Sequence, residues 1–327
     1  MKTRILGKNG LEVSAIGLGC MTLGKDYSPE SVKYGINMIR RAYDLGVTMF
    51  DTAVVYQNGK NESLVGEALH PIRDKVAIAT KCGIRFENGE MLKDGSAKAI
   101  RQSLEDSLRR LNSDYVDLLY VHRVDPDTPI EVTAEAMKQL YKEGKLLNWG
   151  ISEPSMETLR RANDVFPVAA IESEYSMMWR YPEAEILPTL EELSIGLVPY
   201  RPLAEGFLTN GINGMFSKAA KGDRATRFSS ESIKINIQLR ECLHDLAAQK
   251  GVTAAQLALA WLLAQKPFIV PIPGTSNLER LEENIGAARV AFSDEELLMI
   301  RGLLNKIIII GTRYTPNTPS ARSVQKI

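Results

Sequence analysis

Cysteine is scarce. Cys20, Cys82 and Cys242 are scattered and odd in number, which argues against a disulfide framework. Histidine is equally scarce, and His70, His122 and His244 share no ligand-like spacing with the cysteines, so no metal is expected. Neither sign of charge is in excess: forty acidic and forty basic residues cancel. That balance gives no electrostatic ground for a nucleic-acid partner or an anionic membrane. The longest obvious apolar run, Ile307 to Ile310, is far short of a membrane span, and Met1 to Gly7 is too short and polar for a secretion signal. A cytoplasmic protein is expected. Nucleotide-binding loops are missing too. Gly17-Leu18-Gly19-Cys20-Met21-Thr22 has the first two glycines of a dinucleotide fingerprint but Thr22 where the third belongs, and no helix opens there. Neither a P-loop nor a G-x-S-x-G elbow is found.

What the chain does have is alternation. Apolar, strand-like runs end at Gly17 to Gly19, Met49 to Asp51, Val76 to Lys81, Val116 to His122, Leu147 to Ser152, Ala169 to Glu174, Leu197 to Tyr200 and Phe268 to Pro271. Helix-period segments with cap signals lie between them: Thr128-Pro129-Ile130-Glu131 opens one, and Thr253 precedes another. Repeated βα units call for a parallel sheet, and this number of them favours closure into a (β/α)8 TIM barrel. No linker divides the chain, so one domain over 1–327 is expected. Asn9-Gly10 predicts an N-terminal β-hairpin over Ile5 to Ile16, capping the barrel bottom. Ser293 with Glu296 predicts an extra C-terminal helix through a capping box. Lys218 to Ser230 is the longest polar loop and should lie at the barrel mouth.

Three successive strand ends deliver Asp51, Lys81 and His122, and Tyr56 lies just past the first. Strand ends of a βα barrel converge on one mouth, so the four side chains can meet around one substrate atom. A phenol with its ordinary pKa of about 10 donates a proton poorly at neutral pH. A neighbouring ammonium should lower that value, an aspartate should hold the ammonium, and a neutral histidine can donate to a carbonyl oxygen. Cys82, beside Lys81, is expected to be a small buried filler.

These residues resemble the aldo-keto reductase family nearly end to end. Phe50-Asp51-Thr52-Ala53 with Tyr56, Asn61-Glu62 and Gly66-Glu67-Ala68-Leu69 is similar to its most specific signature. Lys81 in Ala79-Thr80-Lys81 and His122 in Tyr120-Val121-His122-Arg123 match the rest of its catalytic tetrad. The resemblance implies an NADP(H)-dependent oxidoreductase that reduces aldehydes or ketones to alcohols, with Tyr56 as proton donor and no Rossmann domain. It also implies cofactor positions. Ser152, followed by Glu153, matches the residue that holds the nicotinamide carboxamide, Glu172 stands where the family usually has Gln, and Tyr200 matches the aromatic stacked on the nicotinamide. Arg201, Pro202, Leu203 and Gly206 fall in the pyrophosphate loop, with Arg201 replacing a common Ser. Gly274, Thr275, Ser276, Arg280, Glu283 and Asn284 match the segment that grips the adenosine 2′-phosphate and adenine. NADPH is expected over NADH, although many relatives carry Lys where this chain has Gly274.

A second implied reading is a regulatory NADP-binding subunit of the potassium-channel β type, which Arg123-Val124-Asp125-Pro126-Asp127-Thr128-Pro129 resembles; the retained His122 favours the enzyme. Met21, Trp179, Phe228 and Tyr314 are candidate walls of the pocket for a small carbonyl or alcohol substrate. Oligomeric state is not legible.

Overall fold

A computed structural model of the chain describes residues 1–87, 90–209 and 226–313. Tyr314 and most of the polar loop from Lys218 lie outside them. A hairpin comes first, with β1 (Thr3–Leu6) antiparallel to β2 (Leu11–Ser14). Its turn runs from Gly7 to Gly10, longer than the two residues expected: Gly10 N–H donates to Gly7 O, and both glycines are left-handed, at φ 73° and 78°. Gly7 abuts Ala169 and Leu6 abuts Gly196, at the starts of two barrel strands, so the hairpin does plug the N-terminal end.

The barrel strands are β3 (Leu18–Gly19), β4 (Met49–Asp51), β5 (Ala77–Cys82), β8 (Leu118–Val121), β9 (Trp149–Ser152), β10 (Ala170–Glu174) and β11 (Gly196–Tyr200). A small antiparallel hairpin, β6 (Ile84–Glu87) and β7 (Glu90–Lys93), follows β5. The seven are parallel in the order β11-β10-β9-β8-β5-β4-β3. The eighth expected strand closes the ring without a regular ladder. Val270 N donates to Leu197 O and Ile272 N to Pro199 O on one side, while Gly17 N donates to Pro271 O and Gly19 bridges Gly274 on the other. Pro271 and Pro273 have no N–H to give, which is why the ladder stays broken.

Around the strands run α1 (Pro29–Asp44), α2 (Lys60–Leu69), α3 (Ala97–Leu111), α4 (Ile130–Lys142), α5 (Met156–Val165), α6 (Ile186–Leu193), α7 (Ser230–Lys250), α8 (Ala254–Gln265), α9 (Leu278–Gly286) and α10 (Asp294–Leu304). Ser293 caps α10 through the box with Glu296 read from the sequence, and Thr253 caps α8 through a reciprocal box with Gln256 that the structure adds. The cap expected at Thr128 does not form. α4 opens at Ile130 without a side-chain cap, Thr128 Oγ1 donates to Asp125, and Glu131 pairs with Arg161. Asp125 accepts from Gly95 N and Asp127 N as well, and this charge-assisted turn holds Thr128 outside the helix, leaving Pro129 at the N-cap position. No helix among the described residues is long and apolar enough to cross a membrane.

Strand side chains alternate between two cores. Met49, Ala77, Ala79, Leu118, Tyr120, Ala170 and Val198 fill the barrel with Leu6 and Val13 from the hairpin. Phe50, Ile78, Leu119, Val121, Ile151, Ile171 and Leu197 pack outward on the helices. Asp51, Lys81 and Glu172 fall in phase with the inward set, so the two-residue period that builds the core also aims them along the barrel axis.

Candidate active site

Lys81 Nζ is the hub. It lies 2.5 Å from Asp51 Oδ1, 3.0 Å from Thr52 O, 3.5 Å from the Tyr56 hydroxyl and 3.3 Å from Glu172 Oε2. Lys81 and Asp51 are almost wholly buried. Tyr56 opens the 3-10 turn Tyr56–Gly59 ahead of α2, half-buried, with the Lys81 ammonium 5.3 Å from its ring centre. His122 follows β8, half-buried, its N–H donating to Cys82 O and its Nδ1 without a partner. Three of the four expected residues thus meet directly, and the fourth stands at the adjoining strand end.

Burial pushes the His122 imidazole well below its usual pKa, helped by Arg123 and Lys81, so it is neutral at pH 7. Tyr56 departs from expectation. Burial raises the phenol to about 12, because the loss of water outweighs the favourable Lys81 charge while Asp51 and Glu172 oppose ionisation. The resting phenol is therefore fully protonated, and Lys81 acts on phenolate only as it forms. Glu172 is raised to about 8, by burial first and by Asp51, against the pull of Lys81 and Arg123.

The frame around the hub comes from α2, whose polar residues the sequence reading used only as a signature. Thr52 Oγ1 donates to Asn61 Oδ1 (2.7 Å), and Asn61 Nδ2 donates to Cys20 O and Leu23 O. Thr80 Oγ1 donates to Glu62 Oε1 (2.6 Å), whose other oxygen takes Arg110 Nε. The neighbours of Asp51 and Lys81 are thereby fixed to one helix. Cys82 is buried and its thiol is pushed up by desolvation, as a filler should be.

The expected cofactor residues line the same rim. Ser152 ends β9, and its Oγ accepts from Arg123 (2.9 Å). Tyr200 ends β11, and its hydroxyl accepts from Arg313 (2.6 Å). Arg201 and Glu205 are left-handed and pair with each other at 3.1 Å, folding Pro202, Leu203 and Gly206 into a tight loop. A Cβ on Gly274 would stand 3.0 Å from Gly19 O, so the barrel seam disfavours a longer residue there. Thr275 is buried, its Oγ1 taking Asn277 N, and Ser276 is exposed. Arg280 and Glu283 on α9 line a cavity of about 360 Å³ with Thr209, His244 and Thr253, and Asn284 is buried nearby on the same helix. Among the described residues Arg280 has no ion pair, as a cation awaiting an anionic ligand should. Glu153, just past β9, is held in a salt bridge with Arg313.

No sequence pattern announces that bridge. Glu153 takes two Arg313 nitrogens (2.9 and 2.7 Å), Ser173 Oγ and Glu174 N, while Glu174 holds Arg313 Nε (3.1 Å) and Arg227. Only the need for it was legible, since two glutamates in apolar strand ends call for cations. Their partners lie more than fifty residues downstream. Of the suggested pocket walls, Met21 is exposed and Trp179 stacks under both Arg227 and Arg313. Phe228 is buried against Phe207, a packing position.

A protonated phenol, a paired ammonium and a neutral imidazole stand at neighbouring strand ends of the barrel. Residues 15–305 match the Aldo/keto reductase family, and the chain belongs to it. It is 41% identical to probable aldo-keto reductase 1 of Glycine max over 94% of this chain and 90% of that protein. Among solved structures it is similar to a glycerol dehydrogenase from Gluconobacter oxydans, with 26% identity, a TM-score of 0.85 and 97% and 98% of the two chains covered. It is also similar to an aldo-keto reductase from Klebsiella pneumoniae in complex with NADP and acetate, with 27% identity, a TM-score of 0.75 and coverage of 96% and 99%. The protein is an oxidoreductase of that family.

Proposed function

We propose that the protein reduces an aldehyde or ketone to an alcohol with NADPH, Tyr56 giving the proton. The Lys81 ammonium, held 2.5 Å from Asp51 and 3.5 Å from the Tyr56 hydroxyl, carries this reading. NADPH fits the residues present: Arg280, without an ion pair among the described residues, offers its guanidinium to a phosphate beside a cavity large enough for an adenosine end, and Tyr200 and Ser152 stand at the rim near the hub. When bound it supplies the hydride. The Tyr56 hydroxyl donates its proton to the substrate oxygen, and Lys81 steadies the phenolate that results. Neutral His122 can donate a second hydrogen bond to that oxygen and aim it at Tyr56. Asp51 keeps Lys81 charged and in place.

The stretch from Arg123 to Pro129, which resembles the channel-subunit branch, has structural work here. Arg123 bonds Ser152, and Asp125 accepts from Gly95 N, Asp127 N and Thr128 Oγ1. Tyr56→Phe tests the proposal. Aldehyde reduction should fall about 10²- to 10⁴-fold, the range of general acid catalysis, while NADPH binding by fluorescence titration stays near wild type. Normal turnover would remove Tyr56 from the chemistry.

A further inference from the structure

One ammonium faces two buried carboxyl groups. Asp51 and Glu172 are 2% and 3% exposed and approach Lys81 Nζ from opposite strands, at 2.5 and 3.3 Å. Among the described residues neither is fully bonded: Asp51 Oδ2 and Glu172 Oε2 are buried and accept no hydrogen bond, the 3.3 Å approach of Lys81 to Glu172 being an ion-pair contact. The Tyr120 hydroxyl, buried in the barrel beneath them, is unpartnered as well, its ring occupying the space left by Gly150. If both carboxyls were ionised, Lys81 would neutralise only one of them inside the barrel, with Arg123 facing Glu172 from the half-buried rim, and an unbalanced buried charge is costly. One of them must hold a proton at neutral pH. Asp51 has the shorter contact to the ammonium, so the proton falls to Glu172.

We propose that Glu172 is a positioning residue of the reaction: it shares the Lys81 ammonium with Asp51 and, by its own protonation, sets how readily Tyr56 becomes phenolate. This rests on the reductase reading above. The charged and titratable groups facing Glu172 are Lys81 on β5, Asp51 on β4, Tyr120 on β8, Arg123 after β8 and Tyr56 before α2. The raised Glu172 value of about 8 agrees with this assignment of the proton. Below that pH Glu172 is neutral, and Lys81 serves Asp51 and the phenol alone. Above it Glu172 loses its proton to solvent, and a second negative charge near Tyr56 resists formation of phenolate. The consequence has a definite sign. A charged Glu172 keeps Tyr56 protonated to higher pH, extending the range over which it can donate.

Glu172→Gln removes the titration while keeping the shape. The basic limb of kcat/KM for carbonyl reduction should move down by about one pH unit, and alcohol oxidation, which needs phenolate, should set in at correspondingly lower pH. Glu172→Asp should restore much of the wild-type profile. Independently of turnover, 13C NMR of carboxyl-labelled glutamate in wild type should show one resonance titrating near pH 8, absent from both variants. An unmoved limb in Glu172→Gln, or no glutamate titrating above pH 6, would overturn the proposal. So would a changed NADP⁺/NADPH affinity ratio with the limb in place, which would put Glu172 on the nicotinamide instead. If Tyr56→Phe is inactive and the limb does not move, this inference alone fails. If Tyr56→Phe is active, the reductase reading fails first.

Discussion

Two groups of buried charge occupy the same ring of strand ends and are bonded in opposite ways. Around Lys81, one cation serves two carboxyls, and two carboxyl oxygens accept no hydrogen bond. Around Arg313, both carboxylates are saturated: Glu153 takes two guanidinium nitrogens, a hydroxyl and an amide, and Glu174 takes Arg313 and Arg227. Among the described residues Arg227 Nε and Nη1 lack bonds there, and the guanidinium lies over the Phe228 and Trp179 rings at 4.9 and 5.7 Å. The saturated cluster ties the chain after α10 back to β10 and the loop after β9. Bonding capacity left open marks the place where protons move, and bonding capacity filled marks the place where chain segments are fixed.

Mutating the two hubs should separate these roles. Lys81→Met should cost about 10²- to 10⁴-fold in turnover, because the phenolate loses its counter-charge in the transition state. Its effect on unfolding at pH 6 should be modest, since both orphaned carboxyls can take protons there. Normal activity in Lys81→Met, read from initial rates, would erase the distinction. Arg313→Ala should do the reverse in stability. It strands the buried Glu153 carboxylate while Glu174 keeps Arg227, a loss that costs about 3–5 kcal/mol, and urea unfolding at pH 7 would show it. A loss under 1 kcal/mol would mean that the cluster is not a clasp.

A third cation sharpens the contrast because it is exposed and, among the described residues, unpaired. Arg280 has neither the saturation of Arg313 nor the burial of Lys81, and its charge is open to a ligand in the adjoining cavity. Arg280→Ala should weaken NADPH about 10- to 100-fold, the order of a lost charge-assisted hydrogen bond, and leave NADH nearly unchanged. Equal weakening of both cofactors in a binding titration would make Arg280 structural.

The hub was legible in the sequence because period-two alternation carries a strand-end residue inward with its core neighbours: Met49 predicts Asp51, and Ala77 and Ala79 predict Lys81. Local patterns also placed the hairpin and the caps at Thr253 and Ser293. Where the reading failed, distance or competition was the reason. The clasp joins Glu153 to Arg313, 160 positions apart, and no periodicity reports such a pairing. Thr128 bonded Asp125 instead of capping α4, and burial reversed the expected direction of the Tyr56 shift. In each case the residue types were visible, but the balance between local and tertiary partners was not.

The smallest expected effect probes a bond that joins the clasp to the cofactor rim. Arg313 Nη2 donates to the Tyr200 hydroxyl at 2.6 Å while also holding Glu153 at 2.7 Å. Tyr200→Phe deletes that acceptor and keeps the ring. Because the guanidinium retains both carboxylates, stability should fall by only about 1 kcal/mol, the net worth of one hydrogen bond. If the ring face is what meets the nicotinamide, NADPH affinity should stay within about twofold in Tyr200→Phe and fall in Tyr200→Ala. A Phe variant that binds NADPH tenfold more weakly with unchanged urea stability would show the opposite. The hydroxyl would then serve the cofactor rather than the clasp, and the division between saturated and open charge would have to be redrawn at Tyr200.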